Sequence, residues 1–367
     1  MRDGWVQTTL DGIADYINGY PFKPADLGEV GLPVIRIKQL LDPNEPVDRT
    51  ETDTPDRCLL RDGDIVFSWS GTLAVRIWNR GPAKLNQHLF RVVEKKGVYK
   101  GIIPLILDHA IEELEEKSHG TTMKHITKQT LLPHKILLPP LPEQQRIVDL
   151  ISSVDSYIEA LQQQLERAKR SRNAVLHELL TAGGDDWEES SLGQLLTLEY
   201  GKPLTDENRD GKGFPVFASA GVVGLHSEPL VSKSPVIVVG RKGTAGSVYW
   251  SETPCFVIDT AYFVKQISDI DSRFLYLLLN FIDLKSVTAQ TGVPGLNRER
   301  AYSLRCNVPP KSKQLEIVNL ISLFDGEIAQ SVRVIDEAKQ LRSGLLSDLL
   351  GGEHEIPVTY DKFMGAA

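Results

Sequence analysis

Cysteine is scarce in this 367-residue chain, which carries only Cys58, Cys255 and Cys306. The three lie far apart and form no CxxC pair or Cys/His cluster, which excludes a disulfide framework, an iron–sulfur cluster and a zinc knuckle and leaves buried structural thiols. The eight histidines include no HExxH and no paired ligand spacing, so neither a metal nor another cofactor is expected. Long apolar runs are missing too. Nothing approaches the roughly eighteen residues of a membrane helix, and no charged, apolar, small-residue leader opens the chain, so a cytoplasmic protein with no membrane contact is expected. A basic excess is absent as well, with 41 Lys+Arg against 49 Asp+Glu and a formal net charge of −8.

That average hides local variation. Residues 61–100 hold eight Lys/Arg against three Asp/Glu, and residues 285–313 hold six against one. On charge alone such stretches read equally well as solvated faces. A chain of this length exceeds one average core, so two or more domains are expected.

What is present is a repeat. Pro139-Pro140 through Gln144, Ile147, Val148, Leu150, Ile151 and Ser152 return 170 residues later as Pro309-Pro310 through Gln314, Ile317, Val318, Leu320, Ile321 and Ser322. Carried to Leu180 and Leu350, sixteen of 42 positions are identical without a gap, where chance gives roughly one in sixteen. The preceding segments repeat more loosely. Trp5, Leu10 and Gly19 are echoed by Trp187, Leu192 and Gly201, Pro33-Val34 by Pro215-Val216, and Ile65-Val66, Gly71-Thr72 and Trp78 by Ile237-Val238, Gly243-Thr244 and Trp250. The offset falls from 182 to 172 within this part, so the second copy has lost about ten residues of loop. Variable loops on a kept frame are the pattern of a recognition domain.

After each lead-in, apolar residues alternate in steps of four and three. The first seam runs Ile147, Ile151, Val154, Ile158, Leu161, Leu165, Ala168, Arg172, Val175 and Leu179. The second runs Ile317, Ile321, Phe324, Ile328, Ser331, Ile335, Ala338, Arg342, Leu345 and Leu349. An unbroken heptad of this kind predicts a coiled-coil helix. About forty residues at about 1.5 Å each make a rod of roughly 60 Å. Neither helix can bury its seam alone, so the two are expected to pack on each other, antiparallel, with a globular domain at each end. Pro140 and Pro142 set a sharp start, and Gly183-Gly184 and Gly351-Gly352 end the helices. The matching Arg172 and Arg342 read either as register-setting polar residues or as points of contact with a partner.

Within each globular part, runs such as 64–67 and 234–239 read as strands, and 103–117 and 272–286 as short helices. The expected fold is α+β with a pseudo-twofold internal repeat: a recognition domain over 1–138, a spacer helix over 139–182, a second domain over 183–308, a second spacer helix over 309–352 and a tail over 353–367.

These residues carry a resemblance. The run Leu137-Leu138-Pro139-Pro140-Leu141-Pro142-Glu143-Gln144-Gln145-Arg146-Ile147-Val148, the Trp5 to Leu10 opening repeated at Trp187 to Leu192, and Gly240-Arg241-Lys242-Gly243-Thr244-Ala245-Gly246-Ser247 resemble the specificity subunit of a type I restriction-modification system over nearly the whole chain. The second lead-in, Val308-Pro309-Pro310-Lys311-Ser312-Lys313-Gln314, lacks the Leu-Pro-Glu of the family, and Trp69-Ser70-Gly71-Thr72 matches the Gly-Arg-Lys-Gly-Thr loop only in part. The resemblance implies two target-recognition domains, each reading one half of a split double-stranded DNA site. It implies helices that fix the gap and dock methyltransferase subunits, two of them, with restriction subunits joining the complex and no catalysis on this chain.

Catalytic signatures are missing. Asn307-Val308-Pro309-Pro310 only superficially matches the Asn-Pro-Pro-aromatic motif of adenine methyltransferases, since Val intrudes and no aromatic follows. Gly240–Gly246 lacks P-loop spacing, and it suits backbone approach to a phosphate better than a nucleotide cradle. Direct readout needs Arg or Lys for guanine, Asn or Gln for adenine and small hydroxyls for either. The candidates in the first domain are Arg36, Lys38, Ser68, Ser70, Thr72, Arg76, Lys84, Asn86, Gln87 and Lys124, with His88 and His125 nearby. In the second they are Lys212, Ser219, Arg241, Lys242, Thr244, Asn297 and Arg298. Any one of them reads equally as a solvated loop side chain, and phosphate and base contacts are not separable at this level. A coiled-coil adaptor with two protein-binding repeat domains and no nucleic-acid contact is the competing class, and an autonomous methyltransferase or nuclease is a third.

Overall fold

A computed structural model of the chain describes residues 2–69, 71–118, 128–289 and 295–364. The chain divides into two compact units, Met1–Gln162 with Val334–Ala367, and Gln163–Arg333. Among the described residues no helix is long and apolar enough to cross a membrane.

In the first unit the chain opens on strand Val6–Thr9, which pairs antiparallel with Lys135–Leu138 just before the long helix. Thr9 caps a one-turn helix, Leu10–Ile13, by accepting from the Gly12 amide at 3.2 Å. Its two buried residues, Leu10 and Ile13, point into the core. Four antiparallel strands follow in the spatial order Ala14–Asn18, Leu89–Glu94, Ile65–Ser68, Ala74–Ile77. The strand Ile65–Ser68 is buried along its whole length, which is what a run of Ile, Val and Phe at the centre of a sheet requires. Helix Ile102–Ser118 covers this sheet with Ile102, Ile103, Ile106 and Leu107. A smaller sheet, in the order Arg49–Thr50, Leu32–Ile35, Ala83–Leu85, Leu59–Leu60, carries its own apolar cluster around Trp78.

The second unit repeats this plan with one strand fewer in the smaller sheet. Glu188–Ser191 pairs with Arg305–Val308. The larger sheet runs Leu196–Tyr200, Ala261–Gln266, Val236–Gly240, Val248–Ser251, and helix Ser272–Phe281 lies over it. The smaller sheet is three-stranded, Gly221–His226, Phe214–Ala218, Phe256–Val257. One glycine in each unit explains why the frame tolerates no side chain there. A Cβ at Gly19 would overlap the carbonyls of Leu85 and Asn86, and one at Gly201 those of Val257 and Ile258, because two backbones cross at that point.

The long helices span Leu141–Thr181 and Lys311–Gly351. They are antiparallel within each unit: in the first, Ile147 and Ile151 share a core with Leu346, Leu349 and Leu350, and in the second, Ile317 and Ile321 share one with Leu176 and Leu180. Of the seam residues, Ile147, Ile151, Ile158, Leu165, Ile317, Ile321, Ile335 and Leu349 are buried. Val154, Leu161, Phe324, Ile328 and Leu345 are half-buried. Near the C-terminal ends the buried stripe widens by one position to Leu176, Leu180, Leu346 and Leu350, because there each helix faces a domain as well as its partner helix.

Identical residues of the repeat make reciprocal contacts. Arg342 donates to both carboxylate oxygens of Asp155 in the first unit, and Arg172 to both of Asp325 in the second. Such a bidentate pair aligns one helix on the other, which resolves the two seam arginines in favour of register. The repeated glutamines act alike. Gln144 is 1% exposed, accepts from the Tyr99 amide at 2.7 Å and donates to the carbonyls of Pro139 and Gly97 at 2.8 and 3.3 Å. Gln314 accepts from the Asp271 amide at 2.8 Å and donates to the Pro309 carbonyl at 2.9 Å. Each ties the start of a long helix to the loop that launches the domain's own helix.

Residues after the second helix fold back on the first unit. Ile356 is buried in its core, Arg146 pairs with Asp361 at 2.6 Å, and the Tyr360 hydroxyl donates to Asp149 at 2.9 Å.

Candidate nucleic-acid interface

In the second unit the sequence candidates converge. The strand Val236–Gly240 leads into the Arg241–Gly246 turn, where the amides of Arg241 and Lys242 both donate to the Thr260 carbonyl, at 2.9 and 3.1 Å. The Arg241 carbonyl in turn receives the Leu296 amide at 2.9 Å, and Lys242 bridges to Gly295. This draws Asn297 and Arg298 up to the same edge. Asn297 caps the helix Arg298–Tyr302, accepting from the Arg300 amide at 3.0 Å. Ser219 approaches from the smaller sheet, its amide donating to Thr260 Oγ1 at 3.4 Å. A Cβ at Gly240 would overlap the Thr244 carbonyl and press on that of Ser219, whereas Gly243 has room beside the Ser219 hydroxyl and needs glycine only for its φ of +75°. Ser219, Arg241, Lys242, Thr244, Asn297 and Arg298 thus form one edge. Lys212 does not join it, since it lies on the Asp210–Gly213 turn at the far end of the strand Phe214–Ala218.

The edge is organised by two tyrosines that residue-by-residue inspection of the sequence passed over. Tyr200 ends its strand and pairs directly with Tyr262, their rings 5.1 Å apart and inclined at 62°. The Arg241 guanidinium lies 4.9 Å from the Tyr200 centroid and 5.9 Å from that of Tyr262, and Arg298 lies 5.1 Å from Tyr200. Burial, and then its hydrogen bond with Tyr200, raise the Tyr262 phenol above its ordinary value, against the pull of the two arginines. The tyrosine beside the repeated Gly201 was the available signal.

The first unit presents different chemistry at the same places. The cross-strand pair is Asn18 with Phe90 in place of Tyr200 with Tyr262. Trp69 stands where the second unit has Arg241 and stacks on Phe90 at 5.6 Å and 27°. The Trp69 indole N–H is buried with no hydrogen-bond partner among the described residues. Arg36, Lys38 and Asn86 line one cavity of about 510 Å³ together with Gln39 and His88. Arg36 pairs with Asp48 at 2.6 Å, Lys38 and Gln87 are exposed, and Asn86, 6% exposed, accepts the His88 amide at 3.2 Å. Ser68 is fully buried and donates to the Thr72 carbonyl at 2.6 Å, while Lys84 donates to Thr52 O and Thr54 Oγ1. Thr72 and Arg76 are exposed, Arg76 on the edge strand near Asp108. Ser70, Lys124 and His125 lie outside the described residues.

A family model described as the type I restriction modification DNA specificity domain matches this chain twice, over residues 2–170 and 184–340. The chain belongs to this family. Individual specificity subunits are similar to this chain as well. The type I restriction enzyme EcoBI specificity subunit of Escherichia coli is 28% identical over 215 residues, which cover 57% of this chain and 45% of that subunit, less than half of its length. The putative type I restriction enzyme MjaX specificity subunit of Methanocaldococcus jannaschii is 22% identical over 97% of this chain and 95% of its own. Among solved structures, the type I restriction-modification S subunit from M. genitalium superposes with a TM-score of 0.54 at 19% identity, covering 96% of this chain and 97% of that one. A chain from a structural study of complex assembly in a type I system superposes at 0.62 and 16% identity, covering 95% and 98%. At these identities the superpositions establish the family fold: two mixed domains and two long antiparallel helices.

Proposed function

We propose that this chain is the non-catalytic DNA-specificity subunit of a cytoplasmic type I restriction-modification complex. Each domain reads one half of a bipartite, asymmetric duplex site, and methyltransferase subunits, two of them, and restriction subunits are recruited to it. The observation that carries the proposal is the repeated frame with unlike reading edges. Tyr200, Tyr262 and Arg241 stand in one domain where Asn18, Phe90 and Trp69 stand in the other. Two readers built alike but faced differently select two different half-sites. Continuous helices of 41 residues, roughly 60 Å at about 1.5 Å per residue, suit a ruler for the gap, with spacer helices over 139–182 and 309–352 and recognition domains over 1–138 and 183–308. Exposed apolar side chains on the second helix, Leu320 and Leu323 among them, suit docking of partner subunits. With a net charge of −8, affinity for a polyanion depends on those partners.

The test is a gel-shift series with the chain alone and with its methyltransferase partner, on target and random duplexes, paired with sequencing of methylated sites in cells. Expected are a bipartite non-palindromic site and tight, selective binding only with the partner present. Equal binding of the full complex to random and target duplexes overturns the proposal.

A further inference from the structure

The platform in the second domain has an electrostatic feature that the frame does not require. Elsewhere in this chain buried or half-buried arginines are matched by carboxylates: Arg342 by Asp155, Arg172 by Asp325, Arg146 by Asp361. On the Tyr200 ring two guanidiniums gather with almost no countercharge. Arg241 pairs with no carboxylate among the described residues, and the Glu299 carboxylate, 3.8 Å from Arg298, is 80% exposed and therefore screened. What holds the two in place is neutral. Arg241 Nη1 donates to the Asp259 carbonyl at 2.6 Å, Arg298 Nη1 to the Leu198 carbonyl at 3.4 Å, and both lie against the π face of Tyr200. A ring face attracts a guanidinium without neutralising it. The charge and the remaining donors of Arg241 stay available at an edge where Tyr200 is 51% exposed.

We propose that Tyr200 is a positioning residue of the second recognition domain, holding Arg241 so that its guanidinium reads a guanine edge in the major groove. This rests on the DNA-specificity reading above. Two parallel N–H donors match the O6 and N7 acceptors of guanine, a pairing no other base pair offers in that groove. Fixing the fork beforehand removes the rotamer entropy a free arginine loses on contact. Arg298, at the start of its helix beside the same ring, buttresses the platform. The first domain cannot make this contact, because Trp69 and Asn18 replace Arg241 and Tyr200 there. The guanine so read therefore belongs to one half-site only.

The experiment uses the full-length chain copurified with its methyltransferase partner to select from a random-sequence duplex pool. The wild type is expected to enrich a bipartite site with a fixed guanine in one half. Tyr200→Ala is expected to lower the preference at that position about tenfold or more, leave the other half-site intact and leave the salt dependence of binding unchanged. Tyr200→Phe restores the preference, because the ring face is retained. Arg241→Lys, which leaves the tyrosine pair in place, loses it, since an ammonium cannot make the forked contact. Tyr200→Ala or Arg241→Lys enriching the wild-type sequence with undiminished preference overturns the proposal, as does uniformly weaker binding with an unchanged sequence. Wild-type complex that enriches no bipartite site overturns the DNA-specificity reading itself, and this one with it.

Discussion

Gln144→Leu is the sharpest probe of how the first long helix is anchored. Leucine fills nearly the same volume, so the change isolates polar satisfaction from packing. Three backbone groups lose their partner: the Tyr99 amide, bonded at 2.7 Å, the Pro139 carbonyl at 2.8 Å and the Gly97 carbonyl at 3.3 Å. Gly97 and Tyr99 are exposed, so water replaces the glutamine at both, whereas Pro139 is buried. Leaving a buried group unbonded costs about 1–3 kcal/mol, so loss of the bond to the Pro139 carbonyl costs about 2 kcal/mol. With a urea dependence of about 2.5 kcal/mol per molar for a domain of this size, the unfolding midpoint of the first unit falls by about 0.8 M. The assay is urea unfolding of the full chain followed by tryptophan fluorescence and circular dichroism. Gln314→Leu removes two bonds and lowers the transition of the second unit by a comparable amount. A Gln144→Leu midpoint within about 0.3 M of wild type refutes the reasoning, because solvent or a rearranged loop would then be replacing the glutamine at no cost.

Two further outcomes follow from buried groups. Burial pushes the Asp108 carboxyl up from 3.8 to about 6, with Arg76 and Arg342 pulling it down and Glu112 and Asp155 adding to the rise. Between about pH 4 and pH 6 the folded state then binds more protons than the unfolded one, so the first unit loses stability as pH rises through that window. Asp108→Asn is expected to match wild type near pH 4 and to melt higher at pH 7.5, and parallel melting curves across this range would contradict the assignment. Gly201→Ala forces a methyl group onto the carbonyls of Val257 and Ile258 and is expected to destabilise the second unit by about 2–3 kcal/mol, read as a drop in its melting temperature. An unshifted melt would show that the crossing strands can separate freely.

The parts of the fold that were legible in the sequence are those written in periodicity. The heptad steps from Ile147 and Ile317 marked both long helices, and the identity of Arg172 with Arg342 marked a shared role. Their partners were not legible. Asp155 and Asp325 are also identical in the repeat, but nothing in the sequence ties them to the arginines until the antiparallel register sets them opposite each other. The same holds for the reading edges. Polar residues in Gly-flanked segments drew notice because direct readout uses those types, yet Ser68, Lys84 and Asn86 bond to the domain's own backbone and side chains. Burial of this kind comes from strand pairing between distant segments, which no local window encodes. Tyr200 escaped for the complementary reason: a tyrosine at a strand end is ordinary, and only its cross-strand pairing with Tyr262 and its approach to Arg241 and Arg298 distinguish it.

The division of the chain into a discontinuous and a continuous unit bears on the order of events at the ribosome. Residues 163–333 form the second unit without a break, whereas the first needs 334–367 as well as 1–162. Its core waits for Leu346, Leu349, Leu350 and Ile356 to cover Ile147, Ile151, Ile102 and Ile106. Domains usually complete in the order of synthesis, N-terminal first. Here the half that is translated first closes last, and it carries an open apolar surface throughout the synthesis of the other. A nascent chain of this design is exposed to chaperone capture and aggregation through its oldest segment until residues 334–367 have been made.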